Sequence, residues 1–335
     1  MVVLLASQFL FSSASAGSEI ETLIEMLHQN GTVNDEQYGR LLSELKQNQV
    51  VQQQQQVLNA KLVEATKPSD VEVQINGGGL ALKTRDGAFT TKIGGRLQLD
   101  AASYSGRPEM GDGTEVRRAY LTLQGTMYDD WGYRLQYNFA NTGSDGKGIL
   151  DAYIDYKGFD YVDLRVGNFK EPFTLHEATS DNFVTFMERG LLAAFSPGRR
   201  MGVMASHAEK DWTWATGVFG ESVSIRGGTE DEGWGASTRM TYAPLNENRQ
   251  IVHLGVGANY RGTGSADTAR FRQGPESHVA GINIVDTGSI LDSKDVTKLG
   301  AEFATVLGPF SAQAEYISTT VSRNSGSDVD FDGWY

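Results

Sequence analysis

Runs of roughly ten residues with alternating apolar and polar side chains dominate the chain after Phe89. They are joined by connections that are short and long by turns. Residues 116–139 show the pattern most plainly: Leu121, Leu123 and Met127 share one parity, and Arg118, Tyr120, Thr122, Gln124 and Thr126 the other. After Asp129-Asp130, Tyr133, Leu135, Tyr137 and Phe139 alternate with Arg134, Gln136 and Asn138. Successive side chains of a strand point to opposite faces, so one face is apolar and the other polar and cationic.

Later runs repeat the scheme. Ile93, Leu97, Leu99 and Ala101 oppose Lys92, Arg96, Gln98 and Asp100; Leu150, Ala152 and Ile154 oppose Asp151, Tyr153 and Asp155; Leu164 and Val166 oppose Asp163 and Arg165. Toward the end, Val252, Leu254 and Val256 oppose His253, Asn259 and Arg261, Leu299 and Phe303 oppose Lys298 and Glu302, and Phe310 and Tyr316 oppose Gln313 and Glu315. Short breaks are expected near 129–130, 158–160, 209–210, 244–248 and 308–309, and long ones over 105–114, 142–147, 171–200, 221–233, 261–295 and 323–330. That alternation predicts an all-β, transmembrane, antiparallel up-and-down β-barrel, with tight turns at one end and larger loops at the other. Tyr104, Tyr128, Trp131, Tyr156, Trp212, Trp234, Tyr242 and Tyr260 fall near strand ends, where interfacial aromatics belong.

Composition agrees. Mean hydropathy is −0.35, and no stretch after residue 20 approaches the ~18 apolar residues of a spanning helix. Barrel strands keep average hydropathy low because half their residues face water. A net charge of −13 argues against a nucleic-acid partner, and the absence of cysteine rules out disulfides and thiolate metal sites. The five histidines are scattered, with neither HExxH spacing nor a GxSxG elbow; the reading is of a non-enzyme with no catalytic residue, cofactor or metal. DVDFDG (328–333) matches the start of a calcium loop and reads as an acidic connection.

Four regions are expected. Residues 1–17 carry Ala14-Ser15-Ala16 near their end and resemble a secretory signal peptide cut near Ala16, without a basic start. Residues 18–66 carry apolar residues at helical spacing and predict a short helix, a turn and a longer helix capable of a periplasmic coiled coil. Residues 67–88 read as a β-type linker, and 89–335 as an incomplete barrel of about 11–12 strands, the last beginning at Phe331.

Several motifs occur in order: IGGRLQLDA (93–101), RRAYL (117–121), KEPF (170–173), TSDNFVTFMERG (179–190), VHLGVGANYR (252–261) and FSAQAEY (310–316). Together they resemble the phosphate-selective porin O/P family of Gram-negative outer membranes. The resemblance implies a 16-stranded homotrimeric barrel in the outer-membrane bilayer, truncated here at its C-terminus, with a connection folded into the pore. It implies passive uptake of inorganic phosphate, polyphosphate or other small anions through an arginine-lined constriction. Matched by motif, Arg96, Arg117, Arg118, Tyr120 and Arg189 fall at constriction positions, and Arg270 and Arg272 in an arginine-rich external loop. Arg261 and Arg134 extend the ladder by parity. The chain departs from the pattern at Glu177 and Asn182, where lysines are expected, and around Asp151, where an acid falls in register only if the strand slips by one residue.

Arginine suits such a channel because its planar fork donates paired hydrogen bonds to phosphate and stays charged. The alternative for a lumen arginine is plain solvation or pairing with a neighbouring carboxylate, which weighs most on Arg134, Arg165 and Arg239. Arg117 lies on the apolar parity, so it must sit at the rim or be turned inward by a bulge. Two other functions stay open: a general or cation-preferring porin, supported by Asp100, Asp151, Asp155 and Asp163, and a structural tether gripping the cell wall through residues 18–66.

Overall fold

The computed structural model describes residues 13–65, 71–76, 79–140, 148–223 and 231–335, which fall into two compact units divided after Ser69. Most of the expected signal peptide and the connection 142–147 lie outside the described residues. The first unit is helical: α1 (Ser13–Gln29) and α2 (Asp35–Ala65) flank a turn in which Gly31 takes φ 70°. α2 starts where Asn34 and Gln37 each accept the other's backbone N–H, at 2.9 and 3.1 Å, in a reciprocal cap. Leu41, Val50, Val51, Val57 and Leu58 of α2 are all exposed.

The second unit is an antiparallel sheet. Its strands are β1 (Val71–Asn76), β2 (Gly79–Thr84), β3 (Phe89–Ala102), β4 (Gly113–Met127), β5 (Trp131–Asn138), β6 (Gly148–Tyr156) and β7 (Asp163–Lys170). After α3 (Leu175–Ala178) follow β8 (Arg199–Ala208), β9 (Trp212–Phe219), β10 (Gly235–Glu247) and β11 (Gln250–Gly262). The connection after β11 holds four two-residue strands, β12 (Thr268–Ala269), β13 (Arg272–Gln273), β14 (Val285–Asp286) and β15 (Ile290–Leu291). β16 (Ser293–Leu307), β17 (Phe310–Arg323) and β18 (Val329–Trp334) complete it. Apart from β12–β15, each strand pairs with its chain neighbours, giving fourteen strands in sequence order among the described residues. This is the expected up-and-down meander.

Three details differ from the sequence reading. Residues 67–88 are not simply a linker, because β1 and β2 form a hairpin that β2 joins to β3. The twelfth strand counted from Phe89 starts at Val329 rather than Phe331. The break expected at 244–248 shrinks to the turn at 248–249: β10 runs through Pro244, which sits at a register shift between Tyr242 and Leu245 where no ladder donor is needed.

The faces are inverted relative to a protein core in water. Leu97, Leu99, Val166, Met240, Val256 and Leu299 are each more than half exposed, whereas Arg118, Asp155, Asn259, Glu302 and Glu315 on the opposite parity are buried. An apolar outer face is stable only against an apolar medium, as on a membrane barrel. No described helix is long and apolar enough to cross a membrane. Trp131 stacks near Tyr156 at 4.8 Å and Trp234 near Tyr260 at 5.3 Å between ring centres, as strand-end aromatics. Tyr104 does otherwise: its hydroxyl meets Ser277 of the long 263–292 connection at 2.5 Å.

The inner face is not uniformly polar. Phe173, Leu192 and Phe195 of the 171–198 segment, with Phe271, pack on Val296, Ile317 and Val321 of β16 and β17. Each such buried side chain contributes roughly 1.5–3 kcal/mol, which holds the segment against the inner face at that side. Gly257 makes the approach possible: a Cβ there would lie 2.3 Å from the Phe173 carbonyl oxygen.

Candidate anion-binding site on the inner face

Opposite the apolar cluster, the 171–198 segment meets β3 and β4 through charge. Two bulges position the groups. On the β3–β4 ladder Gln98 faces Arg118 and Leu99 faces Val116, so Arg117 is the extra residue. The bulge turns Arg117 to the same side as Arg118, and both guanidiniums are buried. On the β5–β6 ladder Gln136 faces Asp151 and Tyr137 faces Ile149, leaving Leu150 as the extra residue. Its carbonyl accepts from Asn168 Nδ2 at 2.5 Å. The bulge turns Leu150 to the buried side beside Asp151, which already faces inward by parity and accepts from Arg134 Nε at 2.9 Å and Arg199 Nε at 2.7 Å.

Glu188 is gripped by both arginines of the pair. Arg117 donates Nε at 2.6 Å and Nη2 at 2.9 Å; Arg118 donates Nη1 at 2.9 Å and Nη2 at 2.8 Å. Gln98 Oε1 accepts a further bond from Arg118 at 2.9 Å. Arg117 and Arg118 are therefore a socket for a carboxylate of the same chain. Arg189 is a staple within the segment, donating to the carbonyls of His176 at 3.1 Å and Thr179 at 2.7 Å and pairing with Asp181. Lys170 caps the same turn through Glu177, at 3.0 Å.

Between the segment and the strands lies a cavity of about 530 Å³. Among the described residues seven cations line it: Lys92 and Arg96 from β3, Arg134 from β5, Arg165 and Lys170 from β7, Arg199 from β8 and Arg239 from β10. Only three carboxylates do: Asp151, Glu171 and Asp181. The other partners stand behind the guanidiniums. Asp155 takes Arg165 at 2.7 and 3.0 Å, and Glu302 takes Arg239 at 2.5 and 3.2 Å, and neither acid lines the cavity. At Arg165 and Arg239 the cavity wall is therefore the guanidinium and not its partner, whereas Asp151 and Asp181 line the cavity beside the arginines they hold. Tyr120 lines it too, with the Arg96 guanidinium 4.6 Å above its ring.

The sequence-matched residues separate into three places. Arg96, Tyr120 and Arg134 line the 530 Å³ cavity. Arg117, Arg118 and Arg189 do not; they fix the segment that bounds it. Arg261 and Arg270 line a second cavity of about 940 Å³ with Arg200 and Lys298. There Arg261 donates to Glu171 at 2.7 Å and to the Gly220 carbonyl at 2.8 Å. Arg270 is exposed and holds Asp286 at 2.6 and 2.9 Å, which pulls that carboxyl down to about 2. Arg272 is exposed beside Arg117 and Glu188 in a pocket of about 280 Å³. Of solvation and pairing, the two alternatives for Arg134, Arg165 and Arg239, pairing with a carboxylate describes all three. Asp181 and Glu188 were not singled out from sequence. Nothing in the pattern of a long connection says which of its acids turns toward the strands.

His176 Nε2 accepts the Gly190 N–H at 3.2 Å, which needs a neutral ring. Burial, with Arg189 and Lys170 close by, pushes its pKa down to about 4. A detached segment would titrate near 6.5, so between pH 6.5 and 4 it takes up a proton that the docked segment refuses. Docking is therefore fully supported above pH 6.5 and is lost as the pH falls through 4. Hydrogen exchange at the Gly190 amide, corrected for its intrinsic rate, is expected to lose protection over that window; a flat profile would contradict this.

A meandering sheet with an apolar outer face, a charged inner face and a connection docked on that face has the build of a membrane β-barrel protein. The comparisons identify which kind. Residues 91–335 match the family model described as phosphate-selective porin O and P. Porin O of Pseudomonas aeruginosa is 31% identical over 300 residues, covering 81% of this chain and 68% of the relative. The chain belongs to the phosphate-selective porin O and P family and is an anion-selective porin of the outer membrane, a channel and not an enzyme.

Proposed function

We propose that the chain takes up inorganic phosphate, and polyphosphate where supplied, through the 530 Å³ cavity acting as an arginine-lined constriction. The observation that supports this best is the excess of cations on the cavity wall, seven against three carboxylates among the described residues. A phosphate entering a narrow pore loses hydration, which fixed guanidinium donors replace, while binding stays weak enough for release. Arg96, Arg134 and Tyr120 would touch the anion, Arg117, Arg118 and Arg189 would hold the segment that narrows the pore, and Arg261, Arg270 and Arg272 would gather anions on the way in.

The chain would be exported by a signal peptide spanning 1–17 and would assemble as a homotrimer of closed 16-stranded barrels. The exposed apolar residues of α2 support a coiled coil of residues 18–66 in the periplasm. Cross-linking of the purified protein would be expected to trap a trimer. The functional test is chloride current in a planar bilayer with phosphate added in steps. Current falling at submillimolar to millimolar phosphate would support a phosphate site, and current indifferent to phosphate would leave only a general anion pore.

A further inference from the structure

Asp181 differs from the other acids of the docked segment. Arg96 Nη2 from β3 approaches its Oδ2 at 3.0 Å, Arg118 Nε from β4 at 3.5 Å, and Arg189 reaches it from within the segment. Three guanidiniums from three stretches of chain thus converge on one carboxylate, as they would on a bound oxyanion. Burial alone would raise its pKa, yet Arg189, Arg118 and Arg96 hold it well below the usual carboxylate range. Asp181 also faces the 530 Å³ cavity, which Glu188 does not. Arg96 Nε is buried and makes no hydrogen bond, so this guanidinium keeps a donor beyond those given to Asp181 and Asn182.

Glu188 and Asp181 therefore do different work. Glu188 absorbs four N–H bonds from Arg117 and Arg118 away from the cavity and pins the segment. We propose that Asp181 is a tethered counter-anion: its carboxylate occupies the guanidinium seat a permeating anion uses, and so sets how tightly that anion is held. This rests on the anion-constriction reading given above. The passing oxyanion shares or displaces the Asp181 contact to Arg96, the one of the three guanidiniums that lines the cavity, and residence in the pore is shortened because the seat refills from within.

The test is Asp181→Asn, compared with wild type in planar bilayers with chloride as carrier and inorganic phosphate as blocker. Removing a full negative charge within hydrogen-bonding reach of the seat is expected to lower the half-blocking phosphate concentration by about tenfold. Single-channel chloride conductance should fall as anions dwell longer. Asp181→Glu, which keeps the charge, should leave block no tighter than wild type. Unchanged or weaker block with a larger conductance would mean that Asp181 only holds the segment, and the proposal would be overturned. Failure of Asp181→Asn to fold, or tighter block in Asp181→Glu, would overturn it equally. A wild-type channel that phosphate does not block would instead sink the constriction reading itself, which keeps the two failures apart.

Discussion

Replacing Glu188 with leucine is expected to loosen the 171–198 segment on β3 and β4, where Asp181 and Asn182 still contact Arg96 and Arg118. The substitution leaves two buried guanidiniums, Arg117 and Arg118, without the carboxylate that takes four of their N–H bonds. Breaking one side of a buried pair costs up to about 3–5 kcal/mol where the charge is left uncompensated, and less here because Arg118 keeps Asp181 and Gln98. The sheet does not need this contact, because its strands pair with their neighbours without it. The apolar cluster around Phe173, Leu192 and Phe195 lies on the other side of the segment and would still hold it at β16 and β17. The result should be a properly inserted channel with higher conductance and a protease-sensitive site near residue 188. Glu188→Gln, which keeps two acceptor lone pairs and most of the shape, should do the same more weakly. Wild-type conductance and protease resistance in Glu188→Leu would show that the arginine pair does not hold the segment.

The largest expected change in selectivity comes from the cavity wall. Lys92→Glu, Arg96→Glu and Arg134→Glu together would turn its balance from seven cations and three carboxylates to four cations and six carboxylates. Rings of one charge sign at a constriction decide which ions enter, whatever the charge elsewhere. The zero-current potential of the triple variant across a KCl gradient is therefore expected to change sign, from anion to cation preference. The chain's overall charge of −13 already shows that bulk charge and pore charge differ, since an anion-selective porin carries it. A triple variant that stayed anion-selective would place the deciding cations elsewhere, most directly at Arg200, Arg261, Arg270 and Lys298 around the larger cavity.

The strands were legible in the sequence because a period of two on a two-solvent sheet leaves an unbroken trace, from Leu97 and Leu99 outward to Arg96 and Gln98 inward. Connection lengths gave the meander. What the period could not give were the places where it breaks. Arg117 reads as lipid-facing by parity, and only the bulge at the β3–β4 ladder turns it inward. Leu150 reads as lipid-facing in the same way, and a similar bulge on the β5–β6 ladder buries it beside Asp151. Val296, Ile317 and Val321 lie on the inner parity yet are apolar, because the docked segment covers them with phenylalanines from far along the chain. The arginines themselves stood out by residue type and motif. Their partners did not: Asp181 and Glu188 sit in an irregular connection with no period, so only the folded segment shows which acid pins and which faces the pore.

The most direct measurement is the zero-current potential of the wild-type protein in a planar bilayer, with a tenfold KCl gradient and no phosphate. Seven cations against three carboxylates on the wall call for a potential of anion sign. A potential of cation sign would mean that Asp151, Glu171 and Asp181 govern the pore despite their arginine partners, and the cavity would not be the source of anion selectivity.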